Sequence, residues 1–270
     1  MELVNLDGVQ IEFDVRGSGE PLMLIHGAIL ADALLPLIEE PLIADNYLVI
    51  SHHRRGFAGS ARTTASFTID HWVSDGLALL RYLDIPRVHV AGHSYGAVIS
   101  LQFVLSSPDK VISLALLEPP ILNSNPSANE FMEKLAPLIE TYKKGDKRVA
   151  TDGFLKLVLR QGYRNVIDKV LPSGAFELAV SDIDNFYQAE LNALGSWSFD
   201  EEKAKKIKQP VLSFVGAETT PIFYNSHKLI MKWVEHAQEY VVPMATHGLQ
   251  MWNPKAVAEG LSNFINSNQS

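Results

Sequence analysis

The feature that most narrows what this chain can fold into is a five-residue turn, Gly92-His93-Ser94-Tyr95-Gly96, taken with its flanks. Before it runs an apolar stretch, Val88 to Ala91, of the length of a short buried strand. After it, Ala97 to Ser107 carries helical periodicity and stops at Pro108. A strand that must turn into a helix this quickly needs glycines wherever a Cβ would strike the neighbouring strand or helix. The serine between them is forced into strained backbone geometry with its hydroxyl exposed. The five-letter pattern alone is weak. The strand–turn–helix setting makes Ser94 a candidate nucleophile rather than a helix cap.

A serine hydroxyl attacks when a neutral imidazole can take its proton and later return it. Composition does not choose among nine histidines, but position does. His247 follows the apolar pair Val241-Val242 in a loop ahead of a C-terminal helix rich in Ala, Val and Leu. The carboxylate that would orient it has two candidates. The usual place is after the preceding strand, Val211 to Val215, but three residues beyond Gly216 stands Thr219, which carries no charge. Glu218 is adjacent, on a side chain expected to project differently. Glu118 ends the apolar strand Val111 to Leu117 and precedes Pro119-Pro120, which should hold the strand exit extended. A carboxylate closing a buried apolar strand needs a partner, so Glu118 is the stronger candidate and Glu218 the second.

Around these residues the chain alternates. Residues 2–5 and 10–15 form a hairpin about Asp7-Gly8, and strands follow near 21–25, 47–51, 87–92 and 111–117, with helices near 68–84 and 95–107. Strand signal then vanishes from 121 to 206, where helical patterns run near 127–144, 147–161, 164–171 and 175–193. Strands return at 210–215 and 238–242. The expected organisation is an α/β core, residues 1–120 and 207–270, with a helical cap, residues 121–206, inserted after the sixth strand.

Together these motifs resemble the α/β-hydrolase superfamily along nearly the whole chain. Leu24-Ile25-His26-Gly27-Ala28 looks like its His-Gly oxyanion loop, and Arg54-Arg55-Gly56-Phe57-Ala58-Gly59-Ser60 like its Arg-Gly-x-x-x-Ser turn. The resemblance implies a doubly wound, mostly parallel eight-stranded sheet. It implies an oxyanion hole from the backbone amides of Ala28 and Tyr95, and substrate contacts at Gly27 and Ile29. In acid placement the chain is similar to the branch holding the fungal zearalenone lactonases and the haloalkane dehalogenases, although the latter use an aspartate nucleophile.

Several function classes drop out. A formal charge of −8 opposes nucleic-acid binding, and the lack of cysteine removes disulfides, thiolate metal sites and thiol catalysis. No apolar run reaches membrane-spanning length and no signal peptide is visible, so the expected location is cytoplasmic. His227 and His236 are too far apart for zinc, so neither metal nor cofactor is expected. His26, His93 and the His52-His53-Arg54-Arg55 cluster read as loop braces. Of the cap aromatics, Phe131, Tyr142, Phe154, Tyr163, Phe176, Phe186, Tyr187 and Trp197, two or three should line a pocket. Trp197, outside helical periodicity, is the first choice.

The function that follows is a serine hydrolase of carboxylic esters or lactones. The substrate is a hydrophobic, medium-sized molecule, and a homodimer is an allowed assembly. The alternatives are a C–C bond hydrolase or lyase acting on a ketone, and a slow-turnover ligand receptor.

Overall fold

The computed structural model describes residues 1–62 and 67–268. A hairpin of β1 (Glu2–Leu6) and β2 (Val9–Arg16) leads into β3 (Glu20–Ile25), two short helices α1 (Leu35–Ile38) and α2 (Pro41–Ala44), and β4 (Tyr47–His53). Next come α3 (Ile69–Tyr82), β5 (Val88–His93), α4 (Tyr95–Ser106) and β6 (Val111–Leu117). Six helices then interrupt the alternation: α5 (Ala128–Lys143), α6 (Lys147–Leu159), α7 (Tyr163–Val170), α8 (Ala175–Asn185), α9 (Leu191–Ser196) and α10 (Glu201–Ala204). The chain closes with β7 (Val211–Gly216), α11 (Pro221–Trp233), β8 (Gln238–Val242), α12 (Leu249–Trp252) and α13 (Pro254–Asn266).

The strands form one eight-stranded sheet in the order β1-β2-β4-β3-β5-β6-β7-β8. β2 pairs antiparallel with β1 and β4, and every other pairing is parallel. Sequence order reverses between β3 and β5, where crossovers leave to opposite faces and open a crevice at the carboxyl ends of the strands. The expected doubly wound, mostly parallel eight-stranded sheet is therefore the observed one.

Apolar residues on both faces explain the stacking. Trp72, Leu79, Val98 and Phe103 pack on one face, and Leu37, Ile43, Val257 and Phe264 on the other. A third cluster joins Leu135, Phe154, Leu159 and Ile183 of the insertion to Ile29, Leu30, Phe223 and Met251 at the strand ends. The insertion is thus split. Its part from α5 to α8 builds the third cluster, whereas Ala193, Leu194, Phe199 and Ala204 pack into the first face.

Local chemistry sets the helix ends. Asp146 caps α6 by accepting from the Val149 amide, and Asn253 caps α13 from the Ala256 amide ahead of Pro254. The single helix expected over 175–193 is broken by a π-helical turn at Phe186–Glu190. One wide turn rotates the following side chains and brings Glu190 into the interior, which periodicity in sequence does not register. The short helices α1, α2 and α10 also escape a periodicity argument, having a single turn each. Among the described residues no helix is long and apolar enough to cross a membrane.

Candidate active site

The elbow is built as its glycines require. A Cβ on Gly92 would drive into the Gly96 carbonyl and the Ser100 hydroxyl, and one on Gly96 into the Ile25 carbonyl at the end of β3. Ser94 adopts φ 54°, ψ −119°, a conformation costly to a residue with a side chain. It heads α4 and is half-buried while its neighbours are buried.

Three side chains from separate strand ends meet there. His247 Nε2 lies 2.9 Å from Ser94 Oγ and accepts its proton, and His247 Nδ1–H donates to Glu118 Oε2 at 2.7 Å. Glu118 is wholly buried and has φ 54°, so the exit from β6 is left-handed at this residue, not extended as Pro119-Pro120 suggested. That twist swings the carboxylate sideways across β7. There the Gly216 amide donates to Oε1 at 2.8 Å and the Thr219 hydroxyl to Oε2 at 2.9 Å. The threonine at the usual acid position thus holds an acid supplied from the next strand. Glu218 points away: it is exposed, with its nearest charge Arg160 at 3.7 Å.

Burial drives the charges of this pair in opposite directions. It pushes the Glu118 carboxyl up to about 8, against the Gly216 amide, the Thr219 hydroxyl and the charge of His227, which favour the anion. It pushes His247 down to about 3, leaving a neutral imidazole able to accept a proton. His93 braces the histidine loop, with Nε2–H donating to the His247 carbonyl at 2.8 Å and Nδ1 accepting from Gln250 at 3.2 Å.

The loop after β3 passes beside Ser94. A Cβ on Gly27 would stand 2.9 Å from His93 Nδ1 and 3.1 Å from Ser94 Cβ, so only glycine fits. Beneath the loop lies Arg54, whose Nε donates to the His26 carbonyl at 3.1 Å and Nη2 to the Gly27 carbonyl at 2.8 Å. Both loop carbonyls are thereby turned inward. Tyr95, at the first position of α4, has an amide without an intrahelical acceptor, and the helix dipole favours negative charge beside it. Arg54 pairs with Glu190 at 2.7 Å, both side chains fully buried, so the π turn of the insertion neutralises the cation under the loop. Sequence reading assigned Arg54 to a loop brace and missed Glu190 altogether. Its one signal was a carboxylate inside an otherwise apolar helical stripe.

A narrow cavity of about 20 Å³ opens on Ser94 and His247. Ala28, Leu30 and Ala33 line it from the β3 loop, Phe154, Leu155, Val158 and Leu159 from α6, and Met251 from α12. Leu30 takes the place expected of Ile29, whose own side chain is buried among the insertion residues at φ 70°. Trp197 is not brought here. Its indole N–H donates to Gln102 on α4 at 3.0 Å, and its ring is parallel to Phe199, which fixes it on the first face of the sheet. Of the insertion aromatics named from sequence, Phe154 alone lines the cavity. The space beside Ser94 is narrow, and α6 forms one of its walls. Among the described residues no group of three His, Cys, Asp or Glu side chains is placed to hold a metal.

Residues 20–151 match the family described as the alpha/beta hydrolase fold. A fluoroacetate dehalogenase of a Burkholderia species is 33% identical over 121 residues, 43% of this chain and 40% of that protein's length. A non-heme haloperoxidase of Rhodococcus erythropolis is 26% identical with 97% of each chain covered. Among solved structures, the enol-lactonase of Burkholderia xenovorans superposes with a TM-score of 0.84 at 16% identity, over 98% of this chain and all of the other. The chain has the α/β-hydrolase fold.

Proposed function

We propose that the chain is a serine hydrolase that cleaves a small, uncharged ester or lactone through an acyl-enzyme. Ser94 attacks the carbonyl while His247 takes its proton, and Glu118 orients the imidazole and stabilises its cation. The amides of Ala28 and Tyr95 receive the oxyanion, a contribution typically worth about 10²–10³ in rate. His247 then protonates the leaving alcohol and activates the water that releases the acid. The observation that carries this reading is the unbroken line Ser94 Oγ–His247–Glu118, at 2.9 and 2.7 Å, opening on an apolar cavity.

The cavity sharpens the substrate class. None of its lining side chains is charged, burial keeping His93 and His247 neutral, and a carboxylate in the acyl part would lose its hydration with no cation to receive it. The acyl group is therefore neutral and short, unlike fluoroacetate, the anionic substrate named for one relative. Placement of the acid after the sixth strand agrees with the lactonase-like branch. Steady-state assays on p-nitrophenyl esters of rising chain length, on lactones and on a succinate half-ester test this. Turnover should fall with chain length and be lowest for the half-ester, and a serine-reactive phosphonate should label Ser94 alone. A burst that stalls after one turnover would indicate a receptor. Activity on a β-diketone without ester turnover would indicate a C–C hydrolase.

A further inference from the structure

His247 is held between two rings. On one face lies Phe223, its centroid 3.4 Å away and its plane tilted by only 4°. On the other lies His93, at 4.8 Å and 38°. Phe223 is buried in the first turn of α11, four residues after the Thr219 that holds the acid.

Geometry makes the Phe223 contact unusual. Neutral aromatic rings avoid stacking face to face, because their negative π faces repel, and they settle offset or edge-on. A centroid separation of 3.4 Å between nearly parallel rings is already van der Waals contact, so almost no lateral offset is left. Other ring pairs here behave as expected: Phe223 meets Phe131 at 66°, and Trp72 meets Tyr95 at 81°. The interaction reverses sign when one ring is a cation, since a positive charge over an aromatic face is attracted by the quadrupole. His247 becomes such a cation only when it has taken the serine proton.

We infer that Phe223 is a positioning residue whose π face stabilises the His247 imidazolium as the reaction proceeds, and so favours the transition state over the resting enzyme. This rests on the reading of His247 as the base. The groups facing the imidazole are Glu118 at Nδ1, Ser94 at Nε2 and His93 across the second face, with His227 of α11 acting on Glu118 by charge. His93 is kept neutral by its burial and by His247 beside it, so it does not compete for the cation's role. Differential binding of this kind raises kcat and leaves KM alone.

The test separates charge from packing. Phenylalanine 223 is replaced by 4-fluoro-, 3,5-difluoro- and 3,4,5-trifluorophenylalanine, which keep the shape and apolarity of the ring and progressively drain its π face. Log kcat should fall in step with fluorine number, by about 2- to 30-fold across the series, with KM and Tm unchanged. In the phosphonylated enzyme the imidazolium, followed by proton NMR, should titrate at lower pH with each fluorine. A flat kcat across the series, while Phe223→Leu is impaired, would overturn the inference and leave Phe223 a packing residue. Ser94→Ala in the same assay keeps the two questions apart. If it retains turnover, the underlying nucleophile assignment fails; if it is dead and the series is flat, this inference alone fails.

Discussion

The turn after β5 and the middle of β7 hold the same three residue types at nearly the same distances. Ser94, His247 and Glu118 are linked at 2.9 and 2.7 Å; Ser213, His227 and Glu239 at 2.8 and 2.7 Å. A further array, Ser113, His89 and Glu20, repeats 2.7 Å at both steps. Distance alone therefore does not mark a reactive serine. Ser213 and Ser113 lie inside regular strands, flanked by Leu and Phe or by Ile and Leu, and are buried. Ser94 stands on a strained turn between glycines, next to a cavity. The imidazoles are also reversed. In the two strand arrays the serine meets Nδ1 and the glutamate Nε2, with Glu239 half exposed, whereas the buried Glu118 meets Nδ1. The strand arrays satisfy buried polar groups, and the elbow array leaves one hydroxyl able to react.

The sharpest way to break this contrast is to delete each serine. Ser94→Ala should lower kcat by about 10⁴–10⁶ with folding intact. Ser213→Ala and Ser113→Ala should keep kcat per folded molecule and cost stability, about 1–3 kcal/mol, by leaving the Nδ1 of a buried imidazole without its partner. Comparable losses of kcat from all three would erase the distinction.

The carboxylates come next. Glu118→Gln should cut kcat by about 10³–10⁴, and Glu239→Gln or Glu218→Gln by no more than about 3-fold. Stability should move the other way. With its folded value raised to about 8, the Glu118 carboxyl contributes stability that is full below the ordinary value of 4.5 and is lost as pH rises through 8. Glu118→Gln should therefore leave Tm unchanged near pH 4 and raise it near pH 9, a difference that thermal melts at the two pH values will report.

Thr219 has a smaller expected effect. Its hydroxyl favours the Glu118 anion, so Thr219→Val should raise that carboxyl further, move the rising limb of kcat/KM to higher pH and lower kcat at neutral pH by about 10-fold. An unmoved limb would mean that the threonine is merely adjacent. The smallest kinetic effect belongs to Trp197→Ala. Packed on Phe199 and bonded to Gln102, this residue should lower Tm and leave KM and acyl-chain preference within about 2-fold.

Much of this was legible in the chain because it is local. Strand and helix order followed from apolar periodicity, and the candidate nucleophile from two glycines whose Cβ atoms have no room. His247 and the candidacy of Glu118 followed from where each stands relative to a strand end. Local features ranked Glu118 above Glu218 without deciding between them, since the choice depends on a left-handed residue after β6 turning a carboxylate across β7 to an amide and a hydroxyl about a hundred residues further on. The same holds for Phe223 over His247, for Glu190 beneath Arg54, and for Trp197, which lacked periodicity because it bridges the insertion to α4. Periodicity and turn chemistry report the few residues that share one element. Which side chains meet at the ends of five strands depends on the order in which the sheet sets those strands side by side, and only the tertiary structure decided that.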